Sequence, residues 1–152
     1  MNFYRETTLG PVSITLEAGE VRAVQFGVMV KPVEQPLVDR QTYLLLQQVV
    51  AVLEGDVIEL PLRLIGSPWQ LQVWRALLNI PRGQVRSYGQ LASLLGRPTA
   101  ARAVAKACAS NQLAVLVPCH RVIARDGNLS GYRWGLDLKK QLLRREEVIP
   151  AS

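Results

Sequence analysis

Two cysteines, one histidine and two methionines are the whole supply of soft ligands and disulfide formers in 152 residues. Cys108 and Cys119 are too few for a disulfide-stapled scaffold and fit a reducing compartment. With His120 they also fall short of the four ligands of a structural zinc, so no such metal site is expected. No apolar run approaches the ~18 residues of a membrane span, which excludes a membrane partner of that kind. The opening residues, MNFYRETTLG, lack both a basic n-region and an apolar h-region, so the expected location is cytoplasmic. No low-complexity tract is present and hydrophobic residues (49%) outnumber charged ones (20%), which excludes disorder. The length suits one ordinary domain or two small ones. Acidic residues are scarce only in the second half: residues 82–152 hold four against twelve Lys/Arg, net +8, whereas residues 1–81 hold eight against six, net −2. A surface of that sign with a pI near 9.8 suits a polyanion and points to nucleic acid; a solvated, solubilising face is the alternative.

The texture divides the chain at about residue 65. Val12, Ile14 and Leu16 alternate with Ser13, Thr15 and Glu17, and after Ala18-Gly19 the residues Val21, Ala23 and Phe26 continue the rhythm, so a hairpin is expected. Gln35-Pro36 interrupts it. Leu37 to Leu53 reads as a helix stopped by Gly55, and Val57 to Leu64, carrying Pro61, as an edge strand. Residues 1–65 thus form a small α/β domain with nothing catalytic in it, and residues 66–152 a second, mainly helical one, α+β overall.

In the second domain Ser67-Pro68 is an N-cap with proline at the first helical position. Trp69, Val73, Trp74, Leu77 and Leu78 share one face before Pro81 and Gly83. Ser87 caps a second helix through Leu95, and Thr99 a third from Ala100 to about Ala109; the pair joined by Gly96-Arg97-Pro98-Thr99 is a helix-turn-helix pattern. Small residues along AARAVAKACAS suit a close approach to another surface, which is either DNA, with Arg102 and Lys106 reaching phosphates, or a neighbouring helix.

The chemistry concentrates at Pro118-Cys119-His120-Arg121. A thiol with an ordinary pKa near 8.5 is mostly unreactive at neutral pH unless a base assists it. The chain's single histidine follows Cys119 directly. Sequence neighbours need not touch, so a bound water would pass the proton, and Glu146 or Glu147 would orient the imidazole. The alternative is a packed Cys119 beside a surface histidine. Cys108, on the small-residue helix, reads as a packing residue.

The stretches SYGQLASLLGRPTAARAVAKACASN, VPCHRVIARDGNLSGYRWG and LLRREE resemble the O6-alkylguanine-DNA alkyltransferases, continuously from about Gly66 to Glu147 and with a bacterial flavour close to the C-terminal domain of Ada. The resemblance implies an RNase H-like N-terminal domain and a winged-helix-like second one. It implies a single-turnover methylated-DNA–protein-cysteine methyltransferase that flips O6-alkylguanine, and O4-alkylthymine, out of double-stranded DNA. The alkyl group would pass irreversibly to Cys119 of a monomer, with no metal or cofactor needed. In that scheme His120 is the base, Glu146 its orienting carboxylate and Tyr88 the group that hydrogen-bonds or protonates the leaving guanine. Arg102 fills the gap left by the flipped nucleotide, while Ala101, Lys106, Thr99 and Ser87 meet the DNA. Asn111 braces the reactive turn, the carbonyls of Cys119 and Val122 read the guanine amino group, and Ser130, Tyr132, Arg133 and Trp134 wall the pocket. Bulky Arg133 and Trp134 would favour methyl over benzyl groups. Where many members of that family have proline, this chain has Gln112 and Ala114, which touches the pocket rim. Two other classes fit the same residues less well: a non-catalytic lesion sensor, which typically lacks the cysteine, and a cysteine hydrolase built on Cys119, His120 and Glu146.

Overall fold

In the computed structural model, residues 1–27, 37–127, 129 and 131–148 are described. Contacts divide the chain into two units, residues 1–65 with 112–116, and residues 66–111 with 117–152. The segment 112–116 therefore leaves the second domain of the sequence reading. Its backbone explains why: Val24 N–H donates to Gln112 O at 2.9 Å and Ala114 N–H to Val24 O at 3.0 Å. A proline at 114 would remove that second donor.

The first unit is an antiparallel sheet, β1 (Asn2–Thr7), β2 (Gly10–Glu17) and β3 (Glu20–Phe26), in the order β1-β2-β3. The alternation of Val12, Ile14 and Leu16 puts all three in the core, joined by Val21 and Val24 from β3 and Phe3 from β1. Strand β1 was not expected; only Phe3 of its residues is buried, so the sequence offered no apolar alternation to read. Helix α1 (Arg40–Leu53) covers this face with Leu45, Leu46, Val49 and Leu53. It begins three residues later than expected because Asp39 is the N-cap, accepting from Thr42 N–H at 2.8 Å. Residues 57–64 do not form the expected edge strand. They make one isolated bridge, Val21 to Leu62, and Pro61, lacking an N–H, limits any longer ladder. Gln35-Pro36 lies outside the described residues.

The second unit starts with α2 (Pro68–Leu78), whose Ser67–Gln70 capping box satisfies the N–H groups of Ser67 and Gln70 at the helix entry. Val73, Trp74 and Leu77 are buried, whereas Leu78 is 41% exposed and does not share their face. Strand β4 (Arg86–Ser87) runs parallel to β5 (Val122–Ile123), and Ser87 also caps α3 (Tyr88–Leu94) through a second capping box. Gly96, at φ +76°, reverses the chain toward α4 (Ala101–Ala109), which packs on α3 and α2. The cap of α4 is Ala100, without a side-chain bond, rather than Thr99. The indoles of Trp69 and Trp74 donate to Ala103 O (3.2 Å) and Ala107 O (2.9 Å), so the small residues of α4 admit close helix contact. A short 3₁₀ turn (Cys119–Arg121) leads into β5, and α5 (Leu136–Arg145) closes the unit. Among the described residues no helix is long and apolar enough to cross a membrane.

Candidate functional site

Cys119 and His120 occupy consecutive positions of the 3₁₀ turn, both buried. Because Pro118 precedes the turn at φ −82°, ψ 63° and Cys119 N–H returns to Val117 O at 2.8 Å, the backbone folds back tightly and separates the two side chains. The thiol faces a cavity of about 360 Å³ lined by Tyr88, Ala105, Cys108, Ala109, Gly131, Tyr132 and Arg133. The imidazole faces α5, where its Nε2 stands 3.0 Å from Glu146 Oε2.

Asn111, just past the C-cap of α4, spans the turn: its Nδ2 donates to Val117 O at 3.0 Å and to Cys119 Sγ at 3.3 Å. Burial pushes the Cys119 thiol up, and the hydrogen bond from Asn111, the charge of Lys139 and the Tyr132 hydroxyl pull the other way. Each of those three favours the thiolate over the thiol. Burial likewise pushes Tyr132 well above its ordinary value, reinforced by the neighbouring Cys119. Cys108 lines the same cavity, where burial and repulsion from Cys119 push its thiol up to about 12.

Burial lowers the pKa of His120; Glu146 opposes this, while Arg121 and Arg145 add to it. With Nε2–H donated to Glu146, the lone pair of the neutral ring lies on Nδ1, which is buried and has no protein hydrogen-bond partner among the described residues. Burial alone would raise the Glu146 carboxyl, yet bonds from His120 and Arg121 bring it down to about 2. Glu147 is exposed at φ +63°, so the choice between the two carboxylates is a matter of helix register.

Arg121 was named in the motif without a role, and Lys139 was not singled out in the sequence. Arg121 grips both carboxylate oxygens of Glu146, Nε to Oε1 at 2.9 Å and Nη2 to Oε2 at 2.8 Å. Lys139 is fully buried and donates to Val122 O at 2.7 Å, so one lone pair of that carbonyl is already engaged. A signal for Lys139 existed: it lies on the α5 face defined by Leu138, Leu142, Leu143 and Glu146, where a solvated lysine has no place.

The expected pocket wall is corrected. Gly131, Tyr132 and Arg133 line the cavity, but Trp134 does not; it packs edge-on against Tyr132, with ring centroids 5.5 Å apart, and under the Arg133 guanidinium. Arg133 also donates to Asn111 O at 2.7 Å. Tyr132 and Arg133 are thus the bulky side chains of the expected wall that do line it. Ser130 lies outside the described residues. Ala114 is absent from the lining, being held in the first unit.

Arg102 and Lys106 project from the exposed side of α4, one turn apart, and Ala101 opens the helix. Ser87 is committed to capping α3, accepting from Gln90 N–H at 3.0 Å, and lines a second groove with Gln90, Ser93 and Arg125. Thr99 is exposed in the turn between α3 and α4.

These groups form a thiol–imidazole–carboxylate site on a small helical unit. Residues 68–148 match the family model described as the DNA-binding domain of 6-O-methylguanine DNA methyltransferase, and the chain belongs to that family. The bifunctional transcriptional activator and DNA repair enzyme Ada of Escherichia coli is 60% identical over 87 residues, which are 57% of this chain and 25% of Ada. A methylated-DNA–protein-cysteine methyltransferase of Saccharomyces cerevisiae is 50% identical over 84 residues, 55% of this chain and 45% of the yeast protein. This chain thus spans less than half the length of these curated relatives. Over nearly its whole length it resembles Mycobacterium tuberculosis OGT, solved in complex with DNA, at a TM-score of 0.78 and 34% identity, covering 95% of this chain and 91% of that one.

Proposed function

We propose that this protein repairs alkylated DNA by direct reversal, acting in the cytoplasm on O6-alkylguanine, and on O4-alkylthymine, flipped out of the duplex. The observation that carries the reading is the placement of Cys119 in a cavity also lined by Tyr88, with the His120–Glu146 pair behind the turn. An alkyl carbon inside a duplex is out of reach of any buried thiol, so the nucleotide leaves the stack at a cost of a few kcal/mol, least for a damaged base.

The exposed cations of α4 bind the duplex as the second helix of a helix-turn-helix, Arg102 entering the space the nucleotide leaves. In the pocket, His120 Nδ1 takes the thiol proton through a water, and Nε2–H stays on Glu146. The sulfur attacks the alkyl carbon: a C–S bond forms, the C–O bond breaks, and its electron pair passes to the guanine ring, which Tyr88 protonates. The remaining carbonyl lone pair of Val122 accepts from the guanine amino group. A thioether has no hydrolytic route back to the thiol, so each molecule reacts once.

Incubation with a duplex carrying one O6-methylguanine, followed by intact mass and peptide mapping, tests this. The expected result is one methyl per molecule on the Cys119 peptide and none on Cys108. Lesion binding without any adduct would instead indicate a sensor, and turnover beyond one equivalent would refute the suicide step.

A further inference from the structure

His120 and Arg121 are adjacent on a 3₁₀ turn, yet both converge on the same carboxylate, one buried and the other partly so. Arg121 takes both oxygens of Glu146 and sends its third donor, Nη1, to Ile80 O at 2.7 Å. Oε2 is shared, 3.0 Å from the imidazole and 2.8 Å from the guanidinium. A carboxylate that held only the histidine would strongly stabilise an imidazolium; here a permanent positive charge has already compensated it.

We propose that Arg121 is a positioning residue for the transfer: by clamping Glu146 it fixes the imidazole rotamer and keeps His120 a neutral, weak base that accepts the thiol proton only in passing. This rests on the proposed role of His120 above. Its consequence is that the resting site holds a thiol and a neutral imidazole rather than a thiolate–imidazolium pair, which protects a once-only nucleophile from adventitious electrophiles until a substrate is seated.

The charged and titratable groups around the ring bear this out in sign. Glu146 and Arg145 approach His120 from the end of α5, and Arg121 from its own turn. Lys139, Tyr132 and Cys108 act on Cys119. Only Glu146 favours protonation of His120; both arginines and burial oppose it. Removing Arg121 therefore raises the affinity of the ring for a proton.

The chain's single histidine makes the test direct, because one imidazole signal is present in a nuclear magnetic resonance titration. Wild type, Arg121→Gln and Arg121→Lys are titrated, and in parallel methyl transfer from an O6-methylguanine duplex is timed between pH 6 and 8.5. In Arg121→Gln the imidazole is expected to titrate at higher pH. The ratio of the transfer rate at pH 8.5 to that at pH 6 rises about tenfold, the effect of one nearby charge of this kind. Arg121→Lys, which keeps a charge but not the fork, should lie between the two. An imidazole titration unmoved in a folded Arg121→Gln protein would overturn the inference, as would an unmoved Arg121→Lys if the glutamine variant fails to fold. Wild-type protein that transfers nothing refutes the proposed function alone, because the imidazole titration still reads the effect of Arg121.

Discussion

His120 is the residue whose environment has the sharpest measurable consequence. It is fully buried and its pKa is lowered, chiefly by burial, so it stays neutral in the fold but takes a proton in the unfolded chain below about 6.5. A group with a depressed folded pKa contributes stability above its unfolded value and loses it as pH falls. Chemical denaturation across pH is therefore expected to show stability declining from about pH 6.5 downward. In His120→Asn the decline should begin only in the carboxylate range, where protonation of Glu146, still held low by Arg121, takes over. An unchanged onset in the variant would show that another group governs the acid limb. Cys119 and Cys108 share one cavity, where Asn111 donates to Cys119 Sγ while burial and repulsion from Cys119 push the Cys108 thiol up to about 12.

At the scale of elements, the second unit is a set of short helices whose ends are specified locally and whose faces are sorted by neighbours. Ser67 and Ser87 cap α2 and α3 with the same box, and the indoles of α2 reach the backbone of α4. The helix-contact reading of the Ala-rich helix holds for one face, while Arg102 and Lys106 remain exposed on another. If Arg102 holds the place of the flipped nucleotide, Arg102→Ala should slow methyl transfer from duplex DNA by at least tenfold. Reaction with the free modified base, which needs no flipping, should change by less than about threefold. Equal losses on both substrates would assign Arg102 to stability instead.

For the whole molecule, the charge division decides how it meets a partner. The half beyond residue 81 carries net +8, and neutralising phosphates with such a surface releases counterions. Affinity for undamaged duplex should therefore fall linearly on a logarithmic salt axis, losing about 10³-fold between 50 and 200 mM if six or so phosphates are contacted. A flat response, followed by fluorescence anisotropy, would remove DNA as the reason for the asymmetry.

What the sequence determined by itself was whatever depends on near neighbours. The alternation of β2, the Ser-Pro entry to α2, the glycine stop after α3 and the Pro-Cys-His-Arg motif are local patterns, legible because caps, turns and strand faces obey spacings of a few residues. Tertiary structure alone decided the rest. Strand β1 has little apolar pattern and exists because β2 offers it a ladder, and segment 112–116 joins the first unit through two hydrogen bonds to Val24. Trp134 leaves the pocket wall for Tyr132. Arg121 turns back to share Glu146 with His120. Those contacts join residues 25 or 26 positions apart, beyond the few-residue reach of any local rule.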